Sequence, residues 1–247
     1  MRALAVALVL GVVLGFAAPA SARSFDWKIT KDRWTEVDET GFSNFVQAIG
    51  ESDCRTPNDC IRSPANPYRD SDPPGLNFDA DCADLIYLLR AYYAWKNGLP
   101  FTFANGVRAQ EGGDLRFNQG GNVIVSRRDV LLRGGSISAQ AIFHEIRNVV
   151  SSATFRVGPN FNRRPYSDFY SPALSRDAIR PGTPIYDING HVVIVFKVTD
   201  DGFVHYMDSH PDYSLTRSVF GAQFGRNTPD LGAGFKAWRP YQLVGAQ

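Results

Sequence analysis

The stretch FDADCADLIYLLRAYYAWKNGLPF, Phe78 to Phe101, decides how the rest of the chain is read. Leu85, Ile86, Leu88, Leu89, Tyr92, Tyr93 and Trp95 recur at the spacing of a largely buried helix. Asp81 is suited to cap its start, and Asp84, three residues on, to reach back in a variant of the capping box. Lys96 in the last turn, Gly98 at the cap and Pro100 just beyond form the stop. Cys82 therefore falls in the first helical turn, where unpaired backbone N–H groups favour a thiolate and can receive an oxyanion. Asp81 and Asp84 oppose that charge, so a reactive thiol here needs a base from elsewhere. A buried structural thiol is the equal alternative.

The other two cysteines, Cys54 and Cys60, lie in SDCRTPNDC, a turn-rich segment with Pro57 and Asn58. Outside the cytosol thiols this close pair, and so short a loop gains roughly 2 kcal/mol from the link. No second cysteine pair or nearby histidine supports half of a metal site instead. The pairing leaves Cys82 odd, which in an exported chain means an intermolecular bond, a reactive thiol or a structural one.

Export is expected from the start of the chain. Arg2, an apolar run from Ala3 to about Ala18 and the small residues Ala20, Ser21 and Ala22 have the form of a secretory signal peptide, residues 1–22. The run is short for a membrane span of about 20 residues. The 225 residues from Arg23 to Gln247 suit a single domain, 23–247, with 23–64 an N-terminal extension holding the disulfide loop. That part has 25 basic and 25 acidic residues, so neither nucleic acid nor an anionic membrane surface is expected as its main partner. The expected location is periplasmic or secreted.

Four histidines are available as a base: His144, His191, His205 and His210. His144, in SAQAIFHEIRNVVSSA, reads as an ordinary residue of an amphipathic helix. The others fall in PGTPIYDINGHVVIVFKVTDDGFVHYMDSHPD, which reads as strand, turn, buried strand, turn and returning strand. His191 opens the buried strand. With a two-residue turn at Asp201–Gly202, or a four-residue turn at Thr199–Gly202, Asp208 and His210 share the face of His191 and His205 takes the other. A three-residue turn reverses this, because a one-residue slip swaps faces. Asp208 is thus the favoured group to orient His191, with His210 next and His205 third.

These segments resemble the NlpC/P60 cysteine peptidases of the papain-like superfamily. The Pro-Tyr pair and Phe-Asp-Cys-Ser-Gly-Leu segment of that family are matched by Pro67 and Tyr68 and by Asp81, Cys82 and Leu85. Its Pro-Gly-Asp and His-Val strands are matched by Pro181, Gly182, His191 and Val192. Ala80, Ala83 and Asp84 depart from the pattern. The resemblance covers about residues 65 to 210 and implies an α+β fold: an antiparallel sheet packed on an N-terminal helix bearing the nucleophile, with N-terminal and mid-chain insertions. It implies Cys82 as nucleophile, His191 as base, Asp208 as the orienting group, and Tyr68 as a hydroxyl near the substrate carbonyl. It also implies a cell-envelope peptide or peptidoglycan-like substrate, cleaved at an amide bond, with neither cofactor nor metal. Transglutaminase-like proteins share the Cys, His, Asp order. The rivals are an envelope binding protein without catalysis, an acyl transferase, and a metal hydrolase using His205, Asp208 and His210.

Two further segments complete the reading. RWTEVDETGFSNFVQAIG places Phe42, Phe45, Val46 and Ile49 at helical spacing, as a helix capping the core. GFKAWRPYQL reads as a final edge strand, since Pro240 fits only an edge. Phe161 to Pro181 reads as a packed surface loop.

Overall fold

The computed structural model describes residues 23–130, 136–158, 166–224 and 228–240; the expected signal peptide, 1–22, lies outside them. A short strand β1 (Asp26–Trp27) leads to helix α1 (Glu36–Glu51), which starts on a complete capping box between Thr35 and Asp38. Phe42, Phe45, Val46 and Ile49 are all buried. Helix α2 (Pro57–Arg62) begins on Thr56 and carries Cys60, which is disulfide-bonded to Cys54. Helix α3 (Cys82–Lys96) follows, capped by Asp81, whose side chain accepts the N–H groups of Ala83 and Asp84. Every residue of α3 from Ala83 to Trp95 is buried, because other elements enclose it.

Strands β2 (Phe101–Ala109) and β3 (Asn122–Val130) form a long antiparallel hairpin, broken by a bulge around Gly106. β4 (Ile137–Ser138) pairs with β1 and runs into α4 (Ala139–Val149) and the single turn α5 (Ser152–Phe155). His144 is exposed on α4. β5 (Phe169–Tyr170) precedes the main sheet strands β6 (Pro184–Asp187), β7 (His191–Val198), β8 (Val204–Ser209) and β9 (Leu215–Val219). β10 (Gly234–Phe235) and β11 (Ala237–Trp238) complete the described chain. The expected final edge strand is thus two pieces: β10 joins the edge of the main sheet beside β6, and β11 turns away to pair with β5.

The main sheet is antiparallel throughout, in the order β10-β6-β7-β8-β9. The fold is therefore α+β. Val192, Ile194, Phe196 and Met207 join the large core that includes the apolar residues of α1 and α3. Val193, Val195, Ile185 and Tyr206 form a second cluster with Phe220, Phe224 and Phe235. Both faces of the sheet are covered, which is why HVVIVFKV is an almost continuous apolar run. Among the described residues no helix is long and apolar enough to cross a membrane.

Two buried charges tie the layers together. The Arg90 guanidinium of α3 makes two hydrogen bonds to Glu39 of α1 and lies 3.3 Å over the ring of Trp34. Asp168, fully buried ahead of β5, accepts from the Tyr87 hydroxyl and the Ala104 N–H and pairs with Arg127. It anchors the described part of the 161–181 segment, from residue 166, to the hairpin and to α3.

Candidate active site

Cys82 is the free cysteine, half-buried at the first position of α3. Because the Asp81 carboxylate takes the N–H groups of Ala83 and Asp84, that of Cys82 stands ahead of the capped pair. Asp84 points into the protein. Burial, followed by the charge of Asp81, pushes its carboxyl up to about 8. The cap of α3 consists of the Asp81 side chain accepting from Ala83 and Asp84, and Oδ1 of Asp84 is buried without a partner among the described residues. Asp84 is therefore mostly neutral at pH 7 and does not oppose negative charge at Cys82 as an ionised carboxylate would.

His191 starts β7, and its Nε2–H donates to Asp208 Oδ2 at 2.7 Å. The Cys82 thiol lies near enough to the ring to act on its charge. The bond to Asp208, then the neighbouring Cys82 thiol, outweigh burial and raise His191 to about 10. Asp208 is 5 % exposed, and bonds from His191 and Thr216 hold it below the usual carboxylate range against the opposing effect of burial. Its second oxygen, Oδ1, accepts from the Thr216 hydroxyl of β9. The imidazole thus sits with the thiol nearby and is bonded to a carboxylate whose two oxygens both have partners.

The route by which Asp208 meets His191 was not foreseen. Next to the turn, Val198 opposes Val204 and Lys197 opposes His205. That is the register of a three-residue turn, the one that sends Asp208 to the wrong face. Phe196 then bulges out of the pairing, after which Val195 opposes Tyr206 and Ile194 opposes Met207. The extra residue slips the register back by one, so that Asp208 falls on the face of His191. Gly50 of α1 leaves room for the bulge: a Cβ there would lie 2.1 Å from that of Phe196.

The remaining predicted residues sort by distance from this bond. His210 Nε2 lies 3.7 Å from Asp208 Oδ2 and 3.3 Å from the Thr216 hydroxyl, a flanking position rather than a direct one. His205 packs beside Phe196, and strand alternation puts it on the face opposite Asp208. His205, Asp208 and His210 therefore do not converge on one point. Among the described residues no cluster of three metal-ligating side chains occurs.

Tyr68 calls for a correction. Its hydroxyl accepts a 3.0 Å hydrogen bond from the Asn97 amide, just past the C-terminal end of α3, and its ring packs on Phe45, Tyr92 and Tyr93. Fifteen residues of helix separate that end from Cys82, about 22 Å at the α-helical rise. Tyr68 packs half-buried against the core at the far end, and its hydroxyl does not reach a carbonyl at the thiol.

Residues not singled out from the sequence brace the site. Ser209, next to Asp208, donates its hydroxyl to the Ala80 carbonyl at 2.6 Å and ties β8 to the approach to Cys82. Asn58 of α2 accepts from the Phe78 N–H and donates to Asp79. Arg217 of β9 binds the carbonyls of Gly50 and Cys54, and the Leu215 N–H binds that of Arg55. The disulfide loop thus supports the strand that presents Thr216, while the adjoining α2 holds the segment that presents Cys82.

Comparisons with protein-family models, with curated proteins and with solved structures gave no match. The site is accordingly interpreted from its own geometry.

Proposed function

We propose that the chain is a thiol-dependent acyl hydrolase of papain-like type, with Cys82, His191 and Asp208 as its catalytic triad. More particularly, we propose that it acts as an NlpC/P60-like amidase or peptidase on peptides of the cell envelope. The observation that carries this reading is the His191–Asp208 hydrogen bond with the Cys82 thiol close enough to the ring to raise its pKa. The disulfide supports an oxidising compartment, periplasmic or extracellular.

In this mechanism the Cys82 proton rests on His191 and the thiolate sulfur attacks the amide carbonyl carbon. The carbonyl π pair moves to oxygen, and the oxyanion is received by the Cys82 N–H. One such donor is worth roughly 3 kcal/mol. The imidazolium gives its proton to the leaving nitrogen, the C–N bond breaks, and an acyl-cysteine remains. His191 then takes a proton from water, whose oxygen attacks the same carbon and releases the acid and the thiol. Asp208 keeps the ring oriented and balances its positive charge throughout.

The test is alkylation followed by turnover. Iodoacetamide is expected to modify Cys82 rapidly at neutral pH and about tenfold or more slowly in His191→Ala, since an unassisted thiol is only a few per cent thiolate there. Equal rates in the two proteins refute the assignment of the base. Envelope peptides incubated with wild type and Cys82→Ala, followed by mass spectrometry, test the amidase. A carboxylate as third member equally supports a transglutaminase-like transfer in which an amine replaces water. Amine adducts formed in the same incubations identify that outcome.

A further inference from the structure

A cavity of about 310 Å³ lies between α1, the segment leading into β6 and strand β11. It borders β6 at its Pro184 end, whereas the thiol site is beyond the Asp187 end, where Asp187 pairs with His191. Three residues lining it carry hydrogen-bond donors with no acceptor among the described residues. Lys236 is 3 % exposed, and neither a carboxylate nor a hydrogen-bond partner acts on its amine among the described residues. The Ser43 hydroxyl and the Trp238 indole N–H are buried and unsatisfied.

Such groups are destabilising when left alone. An ammonium in a largely buried pocket without a counter-charge is costly, and so is each buried hydrogen bond left unmade. The carboxylates nearby do not answer them. Glu39 is held by Arg90, and Glu36 by Arg180. Asp177, also on the lining, is exposed. Phe42, the Trp238 ring and Pro240 give the cavity apolar walls. Its size is at the lower end for small-molecule sites.

We propose that this cavity binds a small organic carboxylate, with Lys236 as counter-ion, Ser43 and Trp238 as further donors, and the apolar walls around the carbon skeleton. The unpaired Lys236 ammonium calls for a negatively charged group. Burial alone lowers the Lys236 amine to about 8, which still leaves it protonated at neutral pH. The site is independent of the proposed triad.

The test is a titration of the ¹⁵N-labelled protein at neutral pH with propionate, lactate, N-acetylglycine and succinate, following the four indole N–H signals. The Trp238 signal is assigned by Trp238→Phe. At least one acid is expected to shift that signal saturably with a dissociation constant of about 1 mM or below. Lys236→Met is expected to weaken this binding at least about tenfold, as loss of a charged hydrogen bond does. Ser43→Ala provides a milder loss if Lys236→Met does not fold, while Cys82→Ser binds as wild type. The proposal is overturned if no acid gives a saturable shift, if a folded Lys236→Met binds as wild type, if Ser43→Ala leaves affinity unchanged, or if Cys82→Ser abolishes binding. Failure here leaves the alkylation result unaffected, so the two readings fall separately.

Discussion

Replacing Asp208 by Asn tests the electrostatics of the site directly. His191 stands at about 10 against an ordinary 6.5, with the hydrogen bond to Asp208 first among the causes, the neighbouring Cys82 thiol second, and burial opposing both. An opposite charge in contact is worth about 1–3 pKa units. Asp208→Asn removes that charge and leaves the thiol, so His191 is expected to titrate between about 7 and 9 in the variant. The assay is the imidazole C–H chemical shift of His191 against pH, assigned with His191→Ala. The sign follows from linkage. A histidine with a raised folded-state value contributes stability that is complete below about 6.5 and lost as pH rises through about 10. The variant should therefore lose part of the wild type's fall in stability over that window. Wild-type His191 titrating near 6.5, or an Asp208→Asn ring still titrating near 10, refutes the reasoning.

Three further outcomes are expected. Asp84, pushed up to about 8 by burial and then by Asp81, favours the folded state when protonated, so stability falls as pH rises from about 4 to 8. Asp84→Asn should be more stable than wild type at pH 8, with an advantage over that at pH 5 of up to about 4 kcal/mol in urea unfolding; an advantage that does not change with pH contradicts this. Gly50→Ala places a methyl against the Phe196 Cβ, near enough to force the bulge to move, and should destabilise by about 3 kcal/mol and slow Cys82 alkylation. Unchanged stability would show that the bulge has slack. The Cys54→Ser/Cys60→Ser double variant should lose about 2 kcal/mol by loop entropy, measured by denaturant titration, and a loss below about 0.5 kcal/mol would mean that other contacts already hold the loop.

Much of the framework was legible because it is written in local patterns. The bounds of α3 came from an apolar run between Asp81 and Gly98, and those of β7 and β8 from apolar residues between turn signals. The disulfide followed from two close cysteines in a turn-rich loop. The Phe196 bulge was not legible: nothing in HVVIVFKV marks which residue leaves the ladder, and the cause lies in packing against Gly50 of a distant helix. Thr216, Ser209 and Asn58 were missed for a similar reason, since each acts through one or two bonds to residues far away in sequence or on a neighbouring strand. Tyr68 was misplaced because thirteen residues lie between it and Cys82, enough extended chain to run the full length of α3, and spacing alone does not say which end the tyrosine occupies.

The bulge also makes the hairpin sensitive to the parity of its length. With the Phe196 bulge held in place by its packing on Gly50, adding or deleting one residue in the Thr199–Gly202 connection would carry the carboxylate to the far side of the sheet, while a change of two would keep it where it is. Variation of this tip should therefore be accepted in steps of two and rejected in steps of one. A library of loop lengths scored by thiol reactivity would display that alternation as a comb.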